Sequence, residues 1–475
     1  MYKFLALILL LLSLTASSPA QSGRVVPKAS PNPAEDNSFQ NLTVEQLFAE
    51  ANGYAKKKFA EYEQKKILFS ENIYYFTIRE QQKMAAKYAA AANARQNLTG
   101  ADFYYAGMLN WIADNSDGAA ENLRKYLAAE NPDTQKLQTT RSVLVVVAAR
   151  RKKFDEAEKL LGEYLQSEPI KSTELARMEG EISQAYARDK NLAKAAPHGE
   201  EAYRATKSLF KESSSRARGL SEMLNVGLNL FEIYKNGEKQ SEADKTLEDL
   251  RQTALLIGSS EIYFAAVDEN IEYLIETGRK PEAMKIYADA DAQIVRDFVS
   301  KPVQDDIIRR LRRREKHYKL LGEIAPELKD IDKWFPGAPQ TFANLRGKVV
   351  LIDFWATWCG PCLAAFPSLT EWHETFQKDG FVVLGLTRYY GSADGEKADN
   401  AAELEYLKKF RSEKKLPYDF AVAKNQISQA TYGAQGLPTA VLIDRKGVIR
   451  YIATGTSRTR EEEIRQEIEK LLAEK

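Results

Sequence analysis

At 475 residues the chain exceeds one average domain, and length over about 150 argues for two or three. Lysine and arginine (68) balance aspartate and glutamate (67) for a net charge of +1, so no global field points to nucleic acid or to acidic ligands. Two cysteines and three scattered histidines, His198, His317 and His373, argue against a metal centre, and each histidine reads as a surface or packing residue.

Met1-Tyr-Lys3 precedes an unbroken apolar run from Phe4 to Leu12 and small residues at Ser18 and Ala20. This pattern predicts a secretory signal over residues 1–20, cleaved near Ala20-Gln21, and hence an exported, periplasmic protein. The run falls short of the roughly 20 apolar residues that span a bilayer, so an uncleaved tether is the alternative. No cysteine follows it, which removes a lipoprotein-type acylation site. Residues 21–43, rich in Pro, Ser and Asn, read as a flexible linker.

From residue 44 to 322 the composition shifts to Ala, Leu, Glu, Lys and Tyr, and the segment reads as helical. Ser116-Asp-Gly-Ala119 with Leu123, Tyr126 and Leu127 matches Phe154-Asp-Glu-Ala157 with Leu161, Tyr164 and Leu165. Further copies carry Ala195, Ala243 and Ala283, so the alanines are spaced by 38, 38, 48 and 40. The pattern, a helix, a polar turn and a second helix opening on alanine, resembles tetratricopeptide (TPR) repeats. That resemblance implies a helical-repeat solenoid with a concave face for an extended peptide or a protein partner. An irregular helical bundle is the alternative. Residues 307–319 form the densest charge run and read as an amphipathic helix with a solvated basic face. Residues 323–340, with three prolines and alternating charges, are expected to link to a second domain.

The second domain, residues 341–475, alternates strands and helices, which implies a sheet with helices on both faces. Its chemistry is concentrated in Val349-Val-Leu-Ile-Asp-Phe-Trp-Ala-Thr-Trp-Cys-Gly-Pro-Cys362. An apolar run followed by two thiols reads as a buried strand delivering a Cys-x-x-Cys turn onto the first turn of a helix. Unpaired N–H groups and the positive end of the macrodipole stabilise an anion there, so Cys359 should be the more acidic thiol. Cys362, one turn further on, is placed to attack a mixed disulfide formed at Cys359, giving a two-electron dithiol–disulfide switch. A disulfide closing so small a loop constrains little of the unfolded chain, which favours redox work over a structural staple.

The string Asp353-Phe-Trp-Ala-Thr-Trp-Cys-Gly-Pro-Cys362 resembles the active-site segment of the thioredoxin superfamily, and its surroundings resemble the exported TlpA/ResA-like thiol-disulfide oxidoreductases. The resemblance covers residues 330–475. It implies a thioredoxin-like fold, Trp358, Gly360 and Pro361 as residues shaping the active site, and a cis proline at Pro438 beside the thiols. Leu437 would then offer its backbone to a substrate strand. Two departures stand out: Ala365 where many TlpA/ResA-like proteins have glutamate, and Asp353, which resembles the buried aspartate of thioredoxin itself. A buried carboxylate there would have its pKa raised and could take the proton of Cys362.

The architecture expected is therefore an N-terminal all-α TPR-like domain followed by a C-terminal α/β thioredoxin-like domain. The function expected is an exported oxidoreductase that reduces protein disulfides, with Cys359, Cys362 and Asp353 as catalytic residues. It would need no cofactor or metal beyond the Cys359–Cys362 disulfide. The dithiol needs an external thiol electron donor, with a membrane conduit as one source, and the helical domain offers a site for a protein partner. The alternatives are a non-enzymatic scaffold or redox sensor, and a disulfide oxidase or isomerase. The polar loop 388–400 shapes substrate choice or is variable surface; the residues do not rank the two.

Overall fold

The structure, a computed structural model, describes residues 38–474 apart from 131 and 212. The expected signal (1–20) and most of the expected tether (21–43) lie outside the described residues. No helix among those described is long and apolar enough to cross a membrane. The chain forms two compact units that divide between Thr253 and Ala254.

The first unit is helical: α1 (Val44–Gln64), α2 (Glu71–Asn93), α3 (Ala101–Ile112), α4 (Ser116–Leu127), α5 (Thr134–Arg150), α6 (Phe154–Leu165), α7 (Ser172–Arg188), α8 (Leu192–Ser208), α9 (Ser213–Asn236) and most of α10 (Gln240–Ile257). Thr43 closes a capping box with Gln46 at the start of α1, so the expected tether already ends in ordered structure. The alanine positions read from the sequence open the second helix of successive helix pairs, and Ala119, Ala157, Ala195, Ala243 and Ala283 are all fully buried. Each of these pairs turns through a residue in the left-handed region: Asp114 (φ 61), Lys152 (φ 57), Lys190 (φ 59), Glu238 (φ 57) and Gly278 (φ 79). Four of the five are not glycine, although a side chain is disfavoured there. The turn is repeated because the following helix must start where its alanine can touch its partner.

The second unit begins with the end of α10 and continues through α11 (Ser260–Glu276), α12 (Lys280–Asp297) and α13 (Lys301–Leu320). It then passes into β1 (Ile331–Phe335), β2 (Val349–Phe354), α14 (Gly360–Phe376), β3 (Phe381–Arg388), β4 (Ser392–Ala393), β5 (Glu396–Lys397), α15 (Asn400–Glu413), β6 (Asp419–Ala423), α16 (Ile427–Thr431), β7 (Thr439–Ile443), β8 (Ile449–Thr454) and α17 (Arg458–Ala473). Six strands form one sheet in the order β1-β6-β3-β2-β7-β8. β2, β3 and β6 run parallel, while β1, β7 and β8 join antiparallel to their neighbours. The segment 323–340, expected as a linker, thus supplies the edge strand β1, with Trp334 opposite Ala421 and Phe335 opposite Phe420. Its weak alternation, half-buried on an edge, is why periodicity missed it.

β2 is central, between parallel β3 and antiparallel β7, and is buried at all six positions, as an apolar run covered on both faces requires. Its face bearing Leu351 and Trp355 packs on α14 and joins Phe366, Phe410 and Phe420 in the main core. Trp355 stacks on Phe410 and tilts against Phe420, with ring centroids 5.5 and 4.9 Å away. That approach needs a glycine on β3: a Cβ on Gly385 would stand 2.8 Å from Phe420 and 3.1 Å from the Trp355 indole nitrogen.

α13 belongs to this second unit by direct bonds. His317 lies 3.0 Å from the Gly433 carbonyl, and Arg314 bonds to Asp268 on α11 and to the side chain of Glu272. The chain leaving α13 continues this attachment, with Gly322 donating to Ile449, Ile449 to Glu323 and Ala325 to Gly447, each at 2.8–2.9 Å.

Candidate active site

β2 ends at Phe354, and five residues later Cys359 occupies the N-cap of α14. Pro361 sits in the first turn, where a missing N–H costs nothing because that group has no partner inside the helix. Cys359 and Cys362 form a disulfide, and Sγ of Cys359 accepts the backbone N–H of Cys362 at 3.2 Å. The N-terminal end of α14 therefore addresses the sulfur of Cys359. Both cysteines are buried, Cys362 completely and Cys359 to 4 % exposure, so contact with a large disulfide is confined to the edge of Cys359.

Trp358 is 63 % exposed beside the thiols and meets the ring of Tyr390 edge-on at 5.3 Å. A side chain on Gly360 would meet no atom within 4 Å, so that position faces open space. The Leu437–Pro438 peptide is cis. Leu437, Trp358, Pro361, Arg388 and Tyr390 line, with Cys359, a cleft of about 580 Å³. Trp358, Cys359, Gly360 and Pro361 from the motif and Leu437 from the downstream segment therefore border one cavity, although 78 residues separate Cys359 from Leu437, while Asp353, Cys362 and Pro438 do not line it.

Asp353 stands on the β2 face that carries Leu351 and Trp355, because strand residues two apart share a face. It pairs in register with Gly385 and Ala440 and is 2 % exposed. Its Oδ2 has no hydrogen-bond partner among the described residues, and burial pushes its pKa up to about 7. The phenol of Tyr418 is raised by burial first and by the charge of Asp353 second, and its hydroxyl, like the Trp355 indole nitrogen, is also unpartnered. Buried polar atoms are normally satisfied, and these three have no protein partner among the described residues.

The wall beside Trp358 comes from the start of loop 388–400, which the sequence leaves between substrate choice and variable surface, and from Gln429, which it does not single out. Arg388, the last residue of β3, lies 4.0 Å over the Tyr390 ring, donates from Nε to Gln429 Oε1 at 3.1 Å and from Nη1 to the Tyr389 carbonyl at 3.1 Å. The loop that follows is pinned by Glu403, whose buried carboxylate accepts the backbone N–H groups of Tyr390 and Gly391 at 2.8 Å and Ser392 at 3.3 Å. The loop contains the short β4–β5 hairpin. A signal existed: Glu403, Leu407 and Phe410 are the buried stripe of α15, and an acid in an apolar helical stripe calls for an internal partner.

The Redoxin family model matches residues 321–468. Protein DipZ of Mycobacterium tuberculosis is 35 % identical over 137 residues, which is 28 % of this chain and 18 % of DipZ. The chain thus spans under a fifth of DipZ's length. Thiol-disulfide oxidoreductase ResA of Geobacillus thermodenitrificans is 30 % identical over 159 residues, covering 33 % of this chain and 81 % of ResA. A crystal structure of a putative thiol:disulfide interchange protein DsbE from Chlorobium tepidum aligns at 26 % identity over 32 % of this chain and 98 % of that one, with a TM-score of 0.28. Through its C-terminal third, which nearly spans ResA and carries the paired cysteines at a helix N-terminus, the chain belongs to the ResA family of thiol-disulfide oxidoreductases.

Proposed function

We propose that the protein is an exported thiol–disulfide oxidoreductase that reduces disulfides of envelope proteins through Cys359 and Cys362, and that its helical region binds a protein partner or substrate. The observation that carries this reading is the Cys359–Cys362 pair at the N-terminus of α14, whose Cys359 borders a cleft that Leu437, the residue before the cis Pro438, also lines. In the reduced enzyme the Cys359 thiolate, favoured by the helix N-terminus, attacks a substrate disulfide. One S–S bond breaks, a mixed disulfide forms at Cys359, and the first substrate thiolate leaves. Cys362 then loses its proton to Asp353 and attacks Cys359, releasing the second substrate thiolate. The substrate gains two electrons and the enzyme is left with the disulfide seen in the structure. An external dithiol donor returns those electrons.

Leu437 supplies the backbone edge for the substrate segment, while Trp358 and Pro361 border its path. Gly360 and Pro361, between the sulfurs, tune the couple, for which about 30 mV is tenfold in equilibrium constant.

The test is a redox titration of the full chain against dithiothreitol, with turnover of a protein disulfide followed in parallel. A reducing potential with turnover supports the proposal. An oxidising potential converts it to a disulfide-forming enzyme, and absence of turnover at any poise leaves a scaffold.

A further inference from the structure

The cleft beside Cys359 does not end at Leu437. Gln435, two residues earlier and exposed, lines both this cleft and a second one of about 340 Å³, whose other walls are Asp305, Arg309, Arg312 and Arg313 of α13. Gln435 is their shared wall, so the two clefts adjoin and together form a track from Cys359 past Leu437 and Gln435 onto a helix that lies before the thioredoxin-like segment in sequence.

The charge of this track is one-sided. Arg388 is the charged side chain among the described residues lining the first cleft, and its hydrogen bonds go to an amide and a carbonyl rather than to a carboxylate. Three arginines face one acid in the second, and that acid, Asp305, is engaged by Lys301 at 2.8 Å. Arg309 and Arg312 pair with Asp306 (2.7 Å) and Asp291 (2.6 Å), but both guanidinium groups are exposed and Asp306 is shared with Arg310, and pairs of exposed arginines are weak enough for a ligand carboxylate to compete. Arg313 is exposed with no carboxylate paired to it among the described residues. With a net charge of only +1 over the chain, this concentration is local.

The track is also held in place. Gly433 has φ +67, and a Cβ there would stand 3.0 Å from both His317 and Lys316, so α13 packs on the loop backbone itself. The His317 bond to Gly433 fixes the same contact.

We infer that this track is a substrate-docking surface: it takes an extended polypeptide segment rich in aspartate or glutamate on one side of the cysteine to be reduced. The inference rests on the oxidoreductase reading and deepens it by naming the substrate chemistry. The segment bearing the disulfide lies at Leu437, where Cys359 can reach it, and its acidic flank passes Gln435 to meet Arg309, Arg312 and Arg313. Arg388 adds positive charge at the sulfur end. Electrostatic complementarity of this kind acts mainly through association rate and selectivity, and it weakens with salt.

The test uses the full chain, reduced and freed of reductant, in single turnover with synthetic peptides that carry one disulfide. Three flanking residues are Glu, Gln or Lys, placed before the cysteine in one set and after it in the other. Tryptophan fluorescence reports oxidation, and hydroxyethyl disulfide, which is uncharged and too small to reach α13, normalises every protein. At low ionic strength the Glu peptide of one set should react about tenfold faster than its Lys counterpart, and the ratio should fall toward one in high salt. Arg313→Glu and, separately, Arg309→Glu should each cut that normalised ratio several-fold. Equal normalised rates for all flanks, or a preference that Arg313→Glu leaves intact, would overturn the inference and leave the enzyme standing. Failure to reduce hydroxyethyl disulfide as well as every peptide would overturn the oxidoreductase reading and the inference together.

Discussion

His317 Nε2 lies 3.0 Å from the carbonyl oxygen of Gly433, 116 residues further along the chain. The other ring nitrogen, Nδ1, faces Nη1 of Arg314 at 3.0 Å. A guanidinium has only donors, so Nδ1 accepts, and the ring proton sits on Nε2, where it donates to Gly433. The imidazole is therefore neutral, in agreement with its pKa, pushed down to about 4 by burial first and by the Arg314 charge second.

A depressed folded-state pKa gives a definite sign. Between about 6.5 and about 4 the unfolded chain holds the extra proton and the folded one does not, so the contribution is full above pH 6.5 and is lost as pH falls through that window. His317→Ala should cost about 1–3 kcal/mol at pH 7, since it orphans a buried carbonyl, and much less at pH 4.5. Urea unfolding at the two pH values checks this; an equal cost at both would remove the neutral-imidazole assignment.

Asp353 carries the opposite sign. Its folded pKa, about 7, exceeds the ordinary 3.8, so stability is greatest below pH 3.8 and declines as pH rises to 7. Asp353→Asn in the disulfide form should therefore raise stability at pH 8, on the order of a few kcal/mol, and change it little at pH 4. The same substitution should slow release of the mixed disulfide at neutral pH by roughly a hundredfold if the carboxylate accepts the Cys362 proton. Unfolding against pH and stopped-flow kinetics are the two readouts. A stability gain equal at both pH values removes the assigned titration, while an unchanged release rate removes the base role.

Glu403 should matter to the cleft without touching a thiol. Glu403→Ala strips three part-buried backbone N–H groups of their acceptor, with an expected cost of about 1–3 kcal/mol and faster hydrogen exchange at Tyr390, Gly391 and Ser392. Unchanged exchange at those three amides would show that the hairpin, rather than the carboxylate, orders the loop.

Two glycines near the site should respond differently. Gly385→Ala pushes a methyl to 2.8 Å from Phe420 and should lose about 1–3 kcal/mol, whereas Gly360→Ala enters open space and should stay within about 1 kcal/mol of the parent. Thermal unfolding ranks them, and an unaltered Gly385→Ala protein would mean that Phe420 can move aside.

The active-site strand, turn and helix were legible because they are local: a continuous apolar run must be buried, and the glycine–proline turn with two thiols places a helix start within four residues. The helix pairs were legible for a similar reason, since each needs a small residue at one repeating contact, and the buried alanines supply it. The basic run was legible as an amphipathic helix, with Ile307, Leu311 and Tyr318 buried. Pro438 could be placed at the site only through resemblance, as nothing in its own neighbourhood points to Cys359.

By itself, then, the sequence determined the helix pairs and the active-site strand and helix, and it put two cysteines at a helix start, because periodicity and motif spacing act over a few residues. Tertiary structure decided the rest. It turned 331–335 from linker into an edge strand, satisfied Glu403 with a loop thirteen residues away, and seated α13 on the loop before Pro438 through a bond that spans 116 residues. Such contacts depend on where the sheet and helices meet once packed. Neither a charge run nor a buried acid announces its partner until the chain between them has folded.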